Sequence, residues 1–522
     1  MKLQSKKMAQ VYRSFGLFVI VLLTFSLMNC SSDSNDETLT EEETETETGT
    51  EDTISIVDGS ASGTAEGDTD NTAADEDDVL ANSTFDNTVK IVYSGTSATV
   101  TNPLEDNGVT VTQDNGDITV EATVSGVAYE LSGTTTNGSF KIYSEKKFLL
   151  TLNGVNITNQ DGPAINNQSG KRTFVVLSSE STLVDGSSYT NIPDDEDAKA
   201  TLFSEGQLIF SGSGTLNITG NYKHGIVSDD YIRVVEGTIN ITSAATDGIH
   251  TNEAFIADGG TFNIETSSDA IEVEEGYIVI NDGTFTIDAG DDAIAASYET
   301  DTTIDPYVTI NGGTFNITAA GEGIESKTTM TINDGSFEIE TVDDGLNAGS
   351  AIYINGGSLY VNSSTNDAVD SNGILTITGG TIVAIGATQP EGSFDCDQNT
   401  FKITGGNLVG IGGAASSPTA SVTTQYTAIM AKYGSANNIF HIQSEDGDEV
   451  LTFLVPENYN TMVFSNGKVK GSTTYNLYTG GSVSDGEDFH GLYTSGTYTI
   501  GNAVSTTFTT SSTVTRVGNI GR

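Results

Sequence analysis

The residues best placed to do chemistry are acids that recur at regular intervals between residues 247 and 370. Each precedes a glycine or alanine and then an apolar residue, as in Asp269-Ala270-Ile271, and three residues later a second position carries further acids or amides. Calcium prefers carboxylate and carbonyl oxygens, and two oxygens on one calcium ion lie about as far apart as adjacent strands, about 4.8 Å. The pattern therefore predicts calcium sites. Their candidate ligands form two groups: Asn366, Asp367 and Asp370 with Asp343, Asp344 and Asn347 one repeat earlier, and Asp291 and Asp292 with Asp269, Glu272, Glu322 and Glu325.

Stacked acids of this kind need a neutralising cation. At a separation of about 4.8 Å and an effective dielectric constant of about 20, each neighbouring pair of carboxylates costs on the order of 3 kcal/mol. An acid ahead of glycine can instead form a local Asx turn, but that alternative leaves the second acidic position without a reason. The cysteine and histidine pairs that zinc prefers are missing from the pattern, and we interpret His250, which occupies the second position once, as a filler or an occasional ligand.

Lys327 is the one lysine or arginine between Gly237 and Phe401, and it lies in the repeat of Glu322 and Glu325. Beside calcium, a lysine can act as the base that removes the C5 proton of a uronate in β-elimination. The alternative is a salt bridge that relieves the acidic repeat. Surrounding carboxylates raise a lysine pKa, which disfavours a base, so we expect Lys327 to be catalytic only if the protein is a lyase.

The acids are positioned by a repeat of 22 or 23 residues. The second and fourth residues after an opening glycine are apolar, as are the fifth and third residues before it, and a further apolar position lies in mid-unit. Alternation of this kind is typical of strands with one buried face. The opening glycines are Gly214, Gly237, Gly260, Gly283, Gly313, Gly335, Gly357, Gly380 and Gly406.

Three short strands per unit, with Asn-Gly-Gly or Asn-Asp-Gly corners, describe one coil of a parallel β-helix. We therefore predict an all-β protein with a parallel β-helix of about eleven coils over residues 82–414. Over residues 415–522 the period is lost and hairpin signals appear, which indicates a C-terminal β cap on the last coil.

The N-terminus has the features of an exported lipoprotein. Four basic residues and a short apolar run precede Leu27-Met28-Asn29-Cys30, so we expect a signal peptide over 1–29 and lipid attachment to Cys30. The alternative, a chance cysteine after a membrane anchor, is disfavoured because the run is shorter than about 18 residues. Residues 30–81 are rich in acids, and we expect a disordered tether that presents the protein at the cell surface from the outer membrane.

Composition excludes other classes of function. The chain has 72 acidic and 20 basic residues and a formal charge of −52, which excludes nucleic acid as a partner. Its 58 glycines exclude a helical bundle.

The coils resemble the carbohydrate-binding domain-containing β-helix proteins, which bind cellulose and acidic sugars and are similar to family 9 polysaccharide lyases. The resemblance covers residues 85–522 and lies in the Gly-Gly-Thr-Phe-x-Ile coils, the Asp-[Gly/Ala]-Ile positions and the ending that starts at Phe508. It implies a right-handed parallel β-helix, calcium on the coils and polysaccharide binding. The lyases' motif Asp-Asp-Gly-x-Asp is similar to Asn366–Asp370 and Asp343–Asn347, but Gly321–Glu325, in the coil of Lys327 itself, departs from it.

We therefore expect a calcium-dependent surface lipoprotein that captures polysaccharide, with uronate-containing chains favoured because calcium can bridge two acidic partners. One alternative is a polysaccharide lyase with Lys327 as base, and another is a structural β-solenoid adhesin. The expected partners are polysaccharide and, through the lipid anchor only, the membrane; the oligomeric state is left open.

Overall fold

The computed structural model describes residues 51–56, 63–190, 192–298, 300–397 and 399–520. The predicted signal peptide, Cys30 and the first part of the predicted tether lie outside the described residues. Strands dominate the described part of the chain, with two short 3₁₀ helices at Glu76–Asp78 and Leu80–Asn82. None of the helices in these ranges has the length and apolarity needed to span a membrane.

The strands form a parallel β-solenoid, as predicted, with three sheets along its length. Its third sheet has 13 strands, so the solenoid has about thirteen coils rather than about eleven. Each coil turns at its opening glycine, and from Gly237 to Gly406 these glycines have φ between +84° and +135°, a conformation that disfavours other residues. The predicted apolar positions point inward and form one continuous core.

Sheet 1 contains the strands that precede the opening glycines. Its inward residues include Ile278 and Ile280, while the outward Val279 is also fully buried. Its strands are Thr173–Leu177, Leu208–Ser211, Tyr231–Val234, Ala254–Ala257, Tyr277–Ile280, Tyr307–Ile310, Thr329–Ile332, Ala351–Ile354, Ile374–Ile377 and Phe401–Ile403.

Sheet 2 contains the strands that follow the glycines. Four of its inward phenylalanines stack in register, with ring centroids 4.5 Å apart for Phe262 and Phe285, 4.8 Å for Phe285 and Phe315, and 4.6 Å for Phe315 and Phe337. Its strands are Ser181–Val184, Thr215–Gly220, Thr238–Ala244, Thr261–Glu265, Thr284–Ala289, Thr314–Ala319, Ser336–Thr341, Ser358–Ser363, Thr381–Ile385 and Asn407–Gly412.

Sheet 3 contains the mid-unit strands and the predicted ligands. It is parallel except for its first pair, which forms a hairpin. Its strands are Val109–Asp114, Asp117–Ala122, Ser139–Ser144, Ile165–Asn167, Ala200–Ser204, His224–Ser228, Ile249–Thr251, Ile271–Val273, Ile294–Ala296, Ile324–Ser326, Leu346–Ala348, Val369–Ser371 and Phe394–Asp395.

Both ends of the solenoid are covered by further strands. At the first coils, long strands pair with sheets 1 and 2: Asn87–Gly95, Ser97–Thr101, Val127–Thr135 and Phe148–Thr158. At the last coil, three cap strands continue sheet 2: Thr427–Ala431, Thr461–Ser465 and Val514–Val517. A separate, antiparallel cap sheet contains Glu51–Ser55, Ile439–Ser444, Glu449–Leu454, Thr474–Thr479, Ser482–Phe489, Leu492–Thr499 and Thr506–Thr509.

Residues 63–82, which we call the strap, lie along sheet 1 and differ from the expected disordered tether. The backbone N–H of Gly63 donates to Thr378 O at 3.2 Å, and that of Asp68 donates to Thr331 Oγ1 at 3.1 Å. At the other end, Asp78 is buried and forms an ion pair with Arg172, whose Nε lies 2.8 Å from Asp78 Oδ1. The strap therefore runs against the coil order, and its acids pair with cations of the solenoid. Glu51–Ser55, also from the predicted tether, pairs antiparallel with Leu492–Thr499.

An asparagine ladder holds the strap. Asn281, Asn311, Asn333 and Asn355 occupy the same corner on successive coils, and each amide donates to the oxygen of the side chain one coil earlier, as Asn333 does to Asn311 at 2.8 Å. The same amides donate to strap carbonyls, for example Asn311 to Asn71 O at 2.7 Å and Asn355 to Glu66 O at 2.9 Å. Backbone groups of an acidic segment are thus satisfied by side chains more than 200 positions away.

Candidate functional site

The six acids predicted to stack do lie in register, at the corner that enters sheet 3. Backbone hydrogen bonds join equivalent positions of successive coils, such as Ala270 N to Asp292 O at 3.0 Å and Gly345 N to Asp367 O at 3.1 Å. We call this set of acids the first column. Its members are Asp247, Asp269, Asp292, Glu322, Asp344 and Asp367.

The second predicted position is also in register, at the middle of the sheet 3 strands. Asn347 pairs with Asp370 in the ladder, and Asp370 pairs with Asp395 on the last coil. We call these residues the second column. Its members are His250, Glu272, Ala295, Glu325, Asn347, Asp370 and Asp395.

First-column carboxylates tie one coil to the next. Oδ1 of Asp269 accepts from the backbone N–H of Asp292 at 2.9 Å, and Oδ1 of Asp344 accepts from that of Asp367 at 2.9 Å. Asp367 Oδ1 accepts from Gly392 N at 2.6 Å. Because a carboxylate has two oxygens with several lone pairs, one oxygen can join coils while the other coordinates a cation.

Three groups of carboxylates bring oxygens within 4.8 Å of one another. Oxygens on one calcium ion, each 2.3–2.6 Å from it, lie at most about 5 Å apart, so the side chains present fit that ion. The three groups are Asp367 with Asp370 and Asp395, Asp269 with Asp291 and Asp292, and Asp247 with Asp269 and Glu272.

Near residue 367 the structure adds one carboxylate to the predicted ligands. Asp343 and Asn366 hydrogen-bond to each other at 2.6 Å, and the Asn347 amide donates to Glu322 Oε1 at 3.3 Å. Asp367 and Asp370 are joined by Asp395, which the sequence analysis missed. The signal for Asp395 was present, because Gly392-Ser393-Phe394-Asp395 has the spacing of Asp367–Asp370 with glycine in place of the first acid.

Burial without a counterion raises the pKa of these carboxyl groups. Burial, followed by the charge of Asp370, raises the pKa of Asp344 to about 8. Burial and then the charge of Asp395 raise the pKa of Asp367 to about 7 and that of Asp370 to about 6. Groups in this state take up either protons or metal ions near neutral pH.

The second group shows the same effect. Burial raises the pKa of Asp269 to about 7, with the charge of Glu272 adding to it. Burial, followed by the hydrogen bond and the charge of Glu322, raises the pKa of Asp292.

A cavity of about 200 Å³ opens beside Asp367 at the end of the first column. Its walls include Glu391, Asp395 and Asp397, together with Phe394 and Pro390. A ligand carboxylate entering this cavity meets like charges unless a cation lies between them.

Lys327 is held by the second column. Its ammonium group pairs with Glu325, so neither side chain joins the three carboxylate groups. Burial alone would lower the pKa of Lys327, but the hydrogen bond to Glu325 and the charges of Glu322 and Asp292 outweigh burial and raise it. A protonated, paired lysine is a poor general base.

Two histidines also meet at this surface, although the sequence analysis found no histidine pair. His224 occupies the coil before Asp247, since Gly225 N donates to Asp247 O at 3.0 Å, and its ring centroid lies 4.6 Å from that of His250. The missed signal is His224-Gly225-Ile226, which repeats the Asp-[Gly/Ala]-Ile pattern with histidine in place of the acid. Burial opposes the charge on His250, but its hydrogen bonds to the carboxylates of Asp247 and Glu272 raise its pKa to about 10.

Comparison with known proteins places the coils in a described group. The family model for "carbohydrate-binding domain-containing protein" matches residues 114–305 and 299–392, more than half of the chain. A carbohydrate-binding domain-containing protein of Acetivibrio thermocellus is 27% identical over 157 residues, which are 29% of this chain and 52% of the relative. The chain thus spans about half the length of that curated relative.

A solved structure gives a further match. The polysaccharide lyase-like protein from C. thermocellum, as a gadolinium derivative, is 22% identical with a TM-score of 0.37 and covers 56% of this chain and 99% of its own.

Proposed function

Since this chain belongs to the carbohydrate-binding domain-containing protein family, we propose that it binds polysaccharide and that calcium on its acidic columns holds uronate-containing chains. The observation that carries the finer part is the convergence of Asp367, Asp370 and Asp395, with oxygens within 4.8 Å, at the wall of a cavity of about 200 Å³. Asp367, Asp370 and Asp395 would hold the ion, and the adjoining cavity would admit a ligand.

The charge of the protein explains the need for calcium, and the coordination number of calcium favours an acidic ligand. A chain of formal charge −52 repels a polyuronate, and the cavity walls add Glu391 and Asp397. Calcium takes six to eight oxygens, more than three side chains supply, so a uronate carboxylate can complete its coordination. The bridge joins two acidic partners only while the ion is bound.

Affinity electrophoresis tests this proposal. We expect the purified chain to be retarded on polygalacturonate or alginate gels with calcium, and to migrate freely with chelator or on neutral glucan. Asp395→Asn keeps an oxygen for its hydrogen bonds from Cys396 N (2.8 Å) and Ser416 Oγ (2.5 Å) but loses a charge, so we expect at least tenfold weaker retardation.

The exposed Glu121, on the second strand of sheet 3, supplies the matched control, because Glu121→Gln removes the same charge far from the cavity. Equal loss in the two variants would contradict a local calcium site. Calcium-dependent stability without retardation on any glycan would favour the structural adhesin.

The lyase alternative has a separate readout. If the protein is a lyase, the ultraviolet absorbance of unsaturated uronate should grow with time, and this growth should be lost in Lys327→Ala. That result would show cleavage rather than binding alone. The paired state of Lys327 with Glu325 supports binding without cleavage.

Attachment to the outer membrane through Cys30 is part of the proposal, and its support is the sequence alone. Labelled fatty acid should enter the full chain in its native host and be lost in Cys30→Ala; labelling of the alanine variant would exclude this anchor.

A further inference from the structure

The acidic columns change chemistry at their N-terminal end. His224 stands in line with the first column, one coil before Asp247, and His250 belongs to the second column next to Glu272. The relative exposures of His224, Asp247 and His250 are 9%, 5% and 7%, so the three side chains are withdrawn from solvent. Imidazole nitrogens thus replace carboxylate oxygens at this end of the columns.

Donor atoms of His224, Asp247 and His250 lie within 4.8 Å of one another, and Glu272 adjoins them through His250. His224 Nδ1 lies 2.8 Å from Asp247 Oδ2, and His250 Nδ1 lies 3.2 Å from the same oxygen. His250 Nδ1 is also 2.9 Å from Glu272 Oε2. The hydroxyl of Thr246 lies 3.0 Å from His224 Nδ1.

These distances suit a small tetrahedral ion. Zinc binds nitrogen at about 2.0–2.1 Å and carboxylate oxygen at about 2.0–2.2 Å, which places neighbouring ligands about 3.3–3.5 Å apart. The donors of His224, Asp247 and His250 already lie within 4.8 Å of one another, and Glu272 would move toward them to become the fourth ligand. Calcium selects oxygen ligands, whereas imidazole with carboxylate suits zinc and its neighbours among the transition metals.

The surroundings orient one ligand for metal binding. His250 Nε2 lies 3.1 Å from Glu274 Oε2. When that nitrogen carries the proton and donates it to Glu274, Nδ1 is left as an acceptor that faces Asp247 and Glu272. Metal-binding histidines are commonly held by a carboxylate in this way.

We propose that His224, Asp247, His250 and Glu272 form a structural site for zinc or a similar divalent transition metal. The site shares Asp247 and Glu272 with one of the three carboxylate groups but is distinct from the two groups nearer the other end, and it does not depend on glycan binding. Its ligands come from three successive coils, so the ion would join them, and four protein ligands leave no position open for a substrate.

Cobalt titration of the full chain tests the proposal. After removal of metal with chelator, cobalt(II) in excess calcium should give the strong visible absorption of a tetrahedral nitrogen and oxygen site, with one ion per chain displaced by zinc. His250→Gln should weaken zinc binding at least tenfold. The control is His490→Gln. It removes a histidine of the cap region that stacks on Tyr360 of sheet 2, and it should leave zinc binding unchanged.

His224→Asp keeps the test valid if the glutamine variant fails to fold. This substitution restores the residue that the first column normally has, so it should fold, bind zinc at least tenfold more weakly and gain affinity for calcium. Absence of stoichiometric zinc binding would overturn the proposal, as would unchanged affinity in both variants; the histidines would then serve as protonated counterions. Neither result bears on glycan retention.

Discussion

A carboxylate in the first column has two opposite effects on stability. It accepts a hydrogen bond from the backbone of the next coil, and its own charge is costly to bury. Asp344 accepts from Asp367 N at 2.9 Å, yet burial and the charge of Asp370 raise its pKa to about 8. The same group therefore stabilises the solenoid by hydrogen bonding and destabilises it by ionisation.

We expect the metal-free protein to lose stability as the pH rises from 6 to 8.5. Asp344, Asp367 and Asp269 keep protons in the folded state up to about pH 8, 7 and 7, whereas the unfolded chain has released them above about pH 4. The native state thus binds more protons in this window, and each group lowers the free energy of unfolding by up to about 1.4 kcal/mol per pH unit.

Thermal unfolding in chelator at a series of pH values measures this slope, and the same series in calcium is the control. Calcium replaces the protons, so the slope should become smaller. A metal-free protein that is more stable at pH 8.5 than at pH 6 would contradict the prediction.

Asp344→Asn separates the effect of the hydrogen bond from the effect of the charge. The amide oxygen still accepts from Asp367 N, but the charge is gone, so we expect the metal-free variant at pH 8.5 to melt higher than the wild type. Its stabilisation by calcium should be smaller. Differential scanning calorimetry with and without chelator measures both changes. A lower melting temperature of the variant in chelator would show that the charge of Asp344 is not its dominant effect.

Among the structural elements, the stacked rings of sheet 2 make successive coils interdependent. Phe285 is fully buried between Phe262 and Phe315. Phe285→Ala should lower the free energy of unfolding by about 3–5 kcal/mol, since the cavity opens between rigid coils. The next residue, Thr286, is exposed, and Thr286→Ala should change it by less than about 0.5 kcal/mol. Denaturant titration distinguishes the two, and equal losses would exclude the stack as the cause.

The asparagine ladder makes a prediction of its own. Asn333→Ala removes donors to Asn311 Oδ1 at 2.8 Å and to Asp68 O at 3.1 Å, so we expect a loss of about 1–3 kcal/mol and faster proteolysis within the strap. Asn316→Ala, at an exposed position of sheet 2 in the same coil, is the control. Unchanged proteolysis in Asn333→Ala would mean that the ladder does not hold the strap.

The elements were predictable wherever a period was present. Alternating apolar residues and corner glycines identified the coils from Gly214 onward and placed both acidic columns in register. The earliest coils are irregular, which explains the low coil count. Asp395 and His224 escaped because each departs from the consensus at one position, and their significance comes from the neighbouring coil.

At the scale of the whole molecule, the ordered strap was the feature that could not be predicted from the sequence. Residues 63–82 have the composition of a solvated acidic run, and such runs are usually disordered. What orders them is distant: Arg172 and Arg233 at Asp78, and the asparagine amides at the backbone. No local pattern encodes those partners.

Removal of the strap should expose sheet 1 along its length. The outward Val279, Thr309 and Thr331 are fully buried in spite of facing away from the core. A chain that starts at residue 84 should therefore bind more of a hydrophobic dye and unfold at lower denaturant. A chain that starts at residue 61 keeps the strap and loses only Glu51–Ser55 among the described strands, and it should differ less. Equal behaviour of the two chains would exclude a covering role.

The strap also constrains the number of coils that it spans. Solenoids lengthen readily by duplication of a coil, because each coil contacts only its neighbours. Here Glu66, Asp68, Asn71 and Thr72 meet Asn355, Asn333, Asn311 and Asn281 in turn, about two strap residues for each coil. An inserted coil would shift every later contact out of step, so a change in the number of coils in this part of the rod requires a matching change in a segment that precedes them all.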